Sequence, residues 1–148
     1  MSITRTVRAL AVTTIVGLLT LGAAAPAQAH TNVCIGTGTF RTGHPMFFVG
    51  FGGPTTTSFT MAFPVTGHCT AFPVPESFAG TVAGNCGLAT GAGTSATGHQ
   101  FTFVWQGGTL TFQGQVQGEL AINEDPGNDC TTGATRFRVS GGLLLSHT

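Results

Sequence analysis

Apolar and polar positions alternate most regularly along residues 101–122 (FTFVWQGGTLTFQGQVQGELAI). Phe101, Phe103 and Trp105 fall on odd positions. Beyond Gly107-Gly108, Leu110, Phe112, Val116, Leu120 and Ile122 fall on even ones. A period of two marks strands with one buried face, and Gly-Gly is a favoured two-residue hairpin turn because it accepts positive φ. Such a turn pairs Trp105 with Leu110, Phe103 with Phe112 and Phe101 with Gly114, which places every apolar partner on one face. A slip of one residue would send half of them into water. The second strand, residues 110–122, is long for a straight one and is expected to bend near Gly114 or Gly118.

The same pattern recurs more weakly elsewhere. Residues 30–40 read as a first strand and 41–45 as a turn. The apolar run 46–51 (MFFVGF) is either buried on both faces or bent at Gly50. Residues 58–63 alternate again. Residues 64–75 hold Pro64, Pro73 and Pro75 around Cys69 and read as an edge segment or a stapled loop. Residues 77–84 form the next strand, followed by a Gly/Thr/Ala/Ser tract to Thr97, and residues 135–145 form the last. Residues 77–84 (SFAGTVAG) echo 111–118 (TFQGQVQG), as a duplicated two-strand unit or as convergent β patterning. No helical period is sustained after the first 29 residues. The expected fold is all-β, an antiparallel sandwich or barrel of seven to eight strands.

The first 29 residues carry a different pattern. Arg5 and Arg8 precede an apolar stretch at 9–21, and Ala27-Gln28-Ala29 is a small-x-small cleavage site. This reads as a secretory signal helix over 1–29, too short to span a bilayer, with a single domain over 30–148 that has no membrane contact after cleavage. That domain has no Lys. Its three arginines against five carboxylates leave it at −2, which excludes the clustered positive charge that binds nucleic acid. All four cysteines (Cys34, Cys69, Cys86, Cys130) follow the cleavage site without a CxxC spacing, so two disulfides are expected in an oxidising, extracellular setting. Three connectivities are possible; Cys34–Cys69 with Cys86–Cys130 is favoured. Each bridge stabilises by about 2–4 kcal/mol.

Several residue sets bear on chemistry. Thr-Gly-His occurs at 42–44, 66–68 and 97–99, so His44, His68 and His99 each stand just before an apolar segment. Converging imidazoles would suit zinc or copper. Cleavage after Ala29 would leave His30 at the amino terminus, where its amine and imidazole together can chelate copper. That single residue resembles the histidine brace of lytic polysaccharide monooxygenases, and the resemblance implies a copper cofactor and a polysaccharide substrate. The chain has no Tyr and one Trp to face such a substrate. The loop 123–129 (NEDPGND) offers Glu124, Asp125, Asn128 and Asp129 as calcium-type oxygen ligands, without EF-hand spacing. Thr111, Gln113, Gln115, Gln117 and Glu119 line the polar face of the hairpin and can hydrogen-bond a glycan or a protein surface. No GxSxG or HExxH motif is present, and a glycosidase carboxylate pair would have to come from Glu76, Glu119 and the acidic loop.

The sequence thus points to a small secreted, disulfide-stapled, non-enzymatic extracellular binding or structural module. No resident cofactor is expected; copper, zinc or calcium would be the ions to test. A metal-binding protein using His30 and the Thr-Gly-His histidines is the alternative. A secreted protease inhibitor presenting residues 64–75 is the third.

Overall fold

A computed structural model describes residues 31–71 and 75–146; the segment 1–29 expected to act as a signal, His30 and His147 lie outside the described residues. Eight strands follow one another: β1 Thr31–Met46, β2 Thr55–Cys69, β3 Glu76–Asn85, β4 Leu88–Ser95, β5 Gln100–Gln106, β6 Thr109–Gly114, β7 Val116–Glu124 and β8 Ala134–Ser146. Each pairs antiparallel with its neighbours in sequence, and β8 pairs with β1 to close the sheet into a barrel. Among the described residues there is no helix. The first rim carries the β1–β2, β3–β4, β5–β6 and β7–β8 connections. The opposite, second rim carries the other three.

The hairpin register is as the alternation requires: Trp105 pairs with Leu110, Phe103 with Phe112 and Phe101 with Gly114. Gly107 takes a φ of 60° at the first central position of the turn, where a side chain would be strained. The stretch 110–122 differs from expectation. It does not bend as one strand but reverses at Gly114-Gln115, so that β6 and β7 pair, with Phe112 opposite Gly118 and Leu110 opposite Leu120. Gly114 adopts a φ of 107° there. A reversal preserves the inward parity of the even positions, so the pattern alone does not separate one long strand from two short ones.

Three further boundaries are corrected. Residues 41–45 are not a turn but continue β1, because Phe40 and Thr42 remain inward with Arg41 outward. Residues 47–51 are neither strand nor core: beyond buried Met46 the chain turns at Gly50 (φ 93°). The small-residue tract contains β4. Its inward positions Ala89, Gly91 and Gly93 pair with Trp105, Phe103 and Phe101, whose rings fill the space that larger residues on β4 would take. Residues 64–69 satisfy both expectations for the proline-rich segment. They extend β2 along β1 as far as Cys34 opposite Cys69, while β3 pairs with β2 only up to Phe63.

An eight-stranded barrel is just wide enough for its inward side chains to fill it. Here Phe40, Phe59, Phe63, Phe78, Phe101, Phe103, Phe112 and Phe137 do most of that, each buried ring contributing about 1.5–3 kcal/mol. Phe40 stacks on Phe59 at 5.1 Å and meets Phe103, Trp105 and Phe137 edge-on at 6.0, 5.9 and 6.1 Å. Trp105 is core, and its Nε1–H donates to Gly107 O at 3.0 Å. The disulfides are Cys34–Cys69, joining β1 to β2 near the second rim, and Cys86–Cys130, joining the β3–β4 turn to the β7–β8 loop on the first.

Candidate functional site

The first rim displays an apolar loop, residues 47–54 (FFVGFGGP), on a built support. Phe48 N–H donates to Cys130 O at 2.8 Å and Cys86 N–H to Phe47 O at 2.9 Å. The Asn85 side-chain amide, itself buried, donates to Phe47 O and Gly52 O, each at 3.0 Å. The Cys86–Cys130 disulfide ties together the two segments that grip the loop. Within it Phe51 N–H donates to Phe48 O at 2.9 Å, which closes a tight turn. Its tip stands in solvent: Val49 is 62 % exposed and Phe51 59 %, with Leu88, the first residue of β4, at 62 %. The sequence carried the signal, a continuous apolar run punctuated by glycine. Only the structure shows that the run points outward.

The acidic loop lies beside it. Glu124 Oε2 accepts from Cys130 N–H at 2.7 Å, and Asn128 Oδ1 accepts from Thr135 N–H at 3.3 Å. Asp125 sits between two arginines, with Oδ2 3.5 Å from Arg136 Nε and Oδ1 3.5 Å from Arg138 Nε. Asp129 Oδ1 accepts from Thr131 N–H at 2.9 Å, and that bond, helped by the Thr131 hydroxyl, holds the carboxyl below its ordinary value of 3.8. These four residues are thus turned to the loop's own backbone and to arginine.

The three Thr-Gly-His histidines are not brought together. His44 is exposed near the first-rim end of β1, where its N–H donates to Thr57 Oγ1 at 2.9 Å. His68 is exposed on β2 opposite Ile35. Ile35 and His44 lie nine residues apart on one strand, so the two imidazoles are separated by roughly 30 Å. His99 is buried between β4 and β5. Among the described residues no group of three or more His, Cys, Asp or Glu is placed to hold a metal ion.

His99 belongs instead to a polar cluster at the second rim that sequence reading did not assemble. Thr97 Oγ1–H donates to Glu76 Oε2 at 3.0 Å, so Thr97 Oγ1 in turn accepts from His99 Nδ1–H at 2.8 Å. Ser95 Oγ accepts from His99 N–H at 3.1 Å. Serine, imidazole and carboxylate are all buried, and serine and threonine share one ring nitrogen. The arrangement closes the β3–β4–β5 corner with mutually satisfied polar groups rather than exposing a nucleophile. On the same rim, Asn32 Oδ1 accepts from Ala71 N–H at 2.8 Å, while its buried Nδ2 has no hydrogen-bond partner among the described residues.

The polar face of the hairpin is also rearranged. Because the chain reverses at Gly114-Gln115, Thr111 faces Glu119 across the β6–β7 ladder instead of standing in line with it. Gln115 Oε1 accepts from Gln100 N–H and Gln117 Nε2–H donates to Gly114 O, so two of the three glutamines brace the turn. Gln113, opposite Thr102, remains outward. Of the segment 64–75, residues 64–69 are paired strand and 72–74 lie outside the described residues. Comparison of the chain with protein-family models, with curated proteins and with solved structures finds no match.

Proposed function

We propose that this protein is exported and acts as a non-enzymatic binding module whose contact element is the loop 47–54. The carrying observation is that Val49 and Phe51 are held out in solvent by the Asn85 amide and by the segments joined through Cys86–Cys130. Exposed apolar side chains on a loop braced at both ends are already ordered, so a partner that covers them loses little further conformational entropy. A turn closed by Phe51 N–H to Phe48 O is not the extended segment a protease cleft takes, which favours docking over inhibition. Export is supported by the positive, apolar and small-residue order of residues 1–29 and by two disulfides, which persist in oxidising compartments.

The partner chemistry is an extracellular protein surface with an apolar centre. The test is crosslinking in the medium of the secreting cells, comparing wild type with a Val49→Ser/Phe51→Ser variant of unchanged thermal stability. A discrete crosslinked species present for wild type and lost in the variant is expected. No species, or one that the variant retains, overturns the reading. The intact mass of the exported chain is expected to start at His30.

A further inference from the structure

On the outer wall, β1 and β8 gather every arginine of the described chain. Arg136 pairs directly with Arg41, and Arg138, two residues further on, sits opposite Thr39 on one side and Asn123 on the other. Like charges directly opposed across a ladder destabilise a sheet, so folding does not account for the placement. The compensation is slight. Asp125 is the one carboxylate in salt-bridge range of these side chains among the described residues. It contacts Arg136 and Arg138 only through Nε at 3.5 Å, with the arginine side chains 44 % and 64 % exposed. No side-chain hydrogen bond holds any of the three guanidiniums among the described residues. A domain with an overall negative balance thus gathers its three described arginines on one wall, with Asp125 between two of them.

Arg138 opens onto a groove of about 500 Å³ that also involves Thr37, Thr39, Asn123, Ser140, Val65 and the carboxylate of Asp125, which leaves the guanidinium NH2 groups as the positive contacts for a ligand. The four uncharged polar side chains make no side-chain hydrogen bond among the described residues, and their donors and acceptors remain available. Val65 is 53 % exposed where β2 bulges against β1, between the Thr37–Thr66 and Thr39–Ala62 pairs. We infer that this groove binds an acidic saccharide. Arg138, with Arg136 two residues along the same strand face, would take its carboxylate or sulfate groups by charge-assisted, fork-shaped contacts. Thr37, Thr39, Asn123 and Ser140 would take its hydroxyls, and Val65 the apolar face of a sugar ring. A nucleic acid fits less well. The groove's lining has no aromatic side chain on which bases could stack, and three arginines are few for a phosphate backbone. The inference is independent of the loop 47–54 and uses other residues.

The test is an NMR titration of the ¹⁵N-labelled exported protein with four probes: an oligogalacturonate (carboxylated), a heparin-derived oligosaccharide (sulfated), a neutral malto-oligosaccharide and a single-stranded DNA oligonucleotide. Saturable shifts at Thr39, Asn123, Arg138 and Ser140 are expected with at least one acidic saccharide. Which of the two responds identifies the acid group. Arg136→Ala/Arg138→Ala should weaken that binding by roughly tenfold or more. Arg138→Lys, which keeps the charge without the fork, should fall between, and salt near about 0.5 M should weaken every response. Val49→Ser/Phe51→Ser should leave it unchanged, so the loop and the groove succeed or fail separately. The arginines are exposed, and matching melting temperatures will confirm that the variants fold. Absence of shifts with both acidic saccharides, shifts elsewhere, an equal response to the neutral saccharide or the oligonucleotide, or indifference to the arginine substitutions would each overturn the inference.

Discussion

A Cβ on Gly91 would clash with Cζ and Cε2 of Phe103, and one on Gly93 would clash with the Ala79 carbonyl and lie 3.1 Å from Phe101 Cζ. These two glycines are core positions whose volume is supplied from the neighbouring strand. Over-packing a filled core typically destabilises by about 1–3 kcal/mol. Gly91→Val is therefore expected to lower the unfolding free energy by an amount in that range, read as a lower urea midpoint with no change of slope. A melting curve indistinguishable from wild type would show that Phe103 has room to move. Asn85 works at the same scale in the opposite sense, a buried polar side chain whose amide is used on the backbone of the loop it positions.

At the scale of elements, the Cys86–Cys130 bridge connects the β3–β4 turn to the β7–β8 loop across 44 positions of sequence. Cys86→Ala/Cys130→Ala is expected to destabilise by about 2–4 kcal/mol through the greater freedom of the unfolded chain. It should also raise amide exchange at Phe48 and Phe51 more than on β1 or β8, because only the loop loses a support. Uniform exchange across the barrel would contradict that division. The elements legible in the sequence were those whose buried face announces itself. β5 carries Phe101, Phe103 and Trp105 at period two, and the register of its hairpin follows by arithmetic. β4 was illegible because its buried face is Ala89, Gly91 and Gly93, small residues that mark a turn as readily as a groove for a neighbour's rings. The 47–54 loop was visible as an apolar run but not as an exposed one, since hydropathy does not carry direction. The arginine wall was invisible for another reason: Arg41 and Arg136 are far apart in sequence and meet only through the β1–β8 ladder.

For the whole molecule, closure pairs every strand on both sides and confines free sheet edge on β2 to the short, proline-bearing segment 64–69, and this matters in a chain whose charged residues make up only 7 % of the total. Exposed edges recruit other chains, and charge is the usual deterrent; a closed ladder removes the need for it. The described ends, Thr31 and Ser146, are themselves a ladder pair. Joining them through a short Gly/Ser linker and opening the chain between Gly107 and Gly108 should give a permuted protein with the same far-ultraviolet spectrum and the same disulfides. Failure to fold would mean that the β5–β6 turn is needed as a covalent nucleus.

The β8–β1 seam also fixes an order of events. A chain that emerges amino end first presents β1 at once, yet its last partner lies 115 positions later, at Ser146. Until those residues arrive, β1 and β7 are both open edges on a nearly uncharged sheet, and the pairing that protects them is also the one with the greatest sequence separation, the slowest kind to form. The interval between first and last strand is the period in which this protein is most exposed to aggregation. A holding factor that covers β1 during that time would protect it more than any surface charge on the finished barrel.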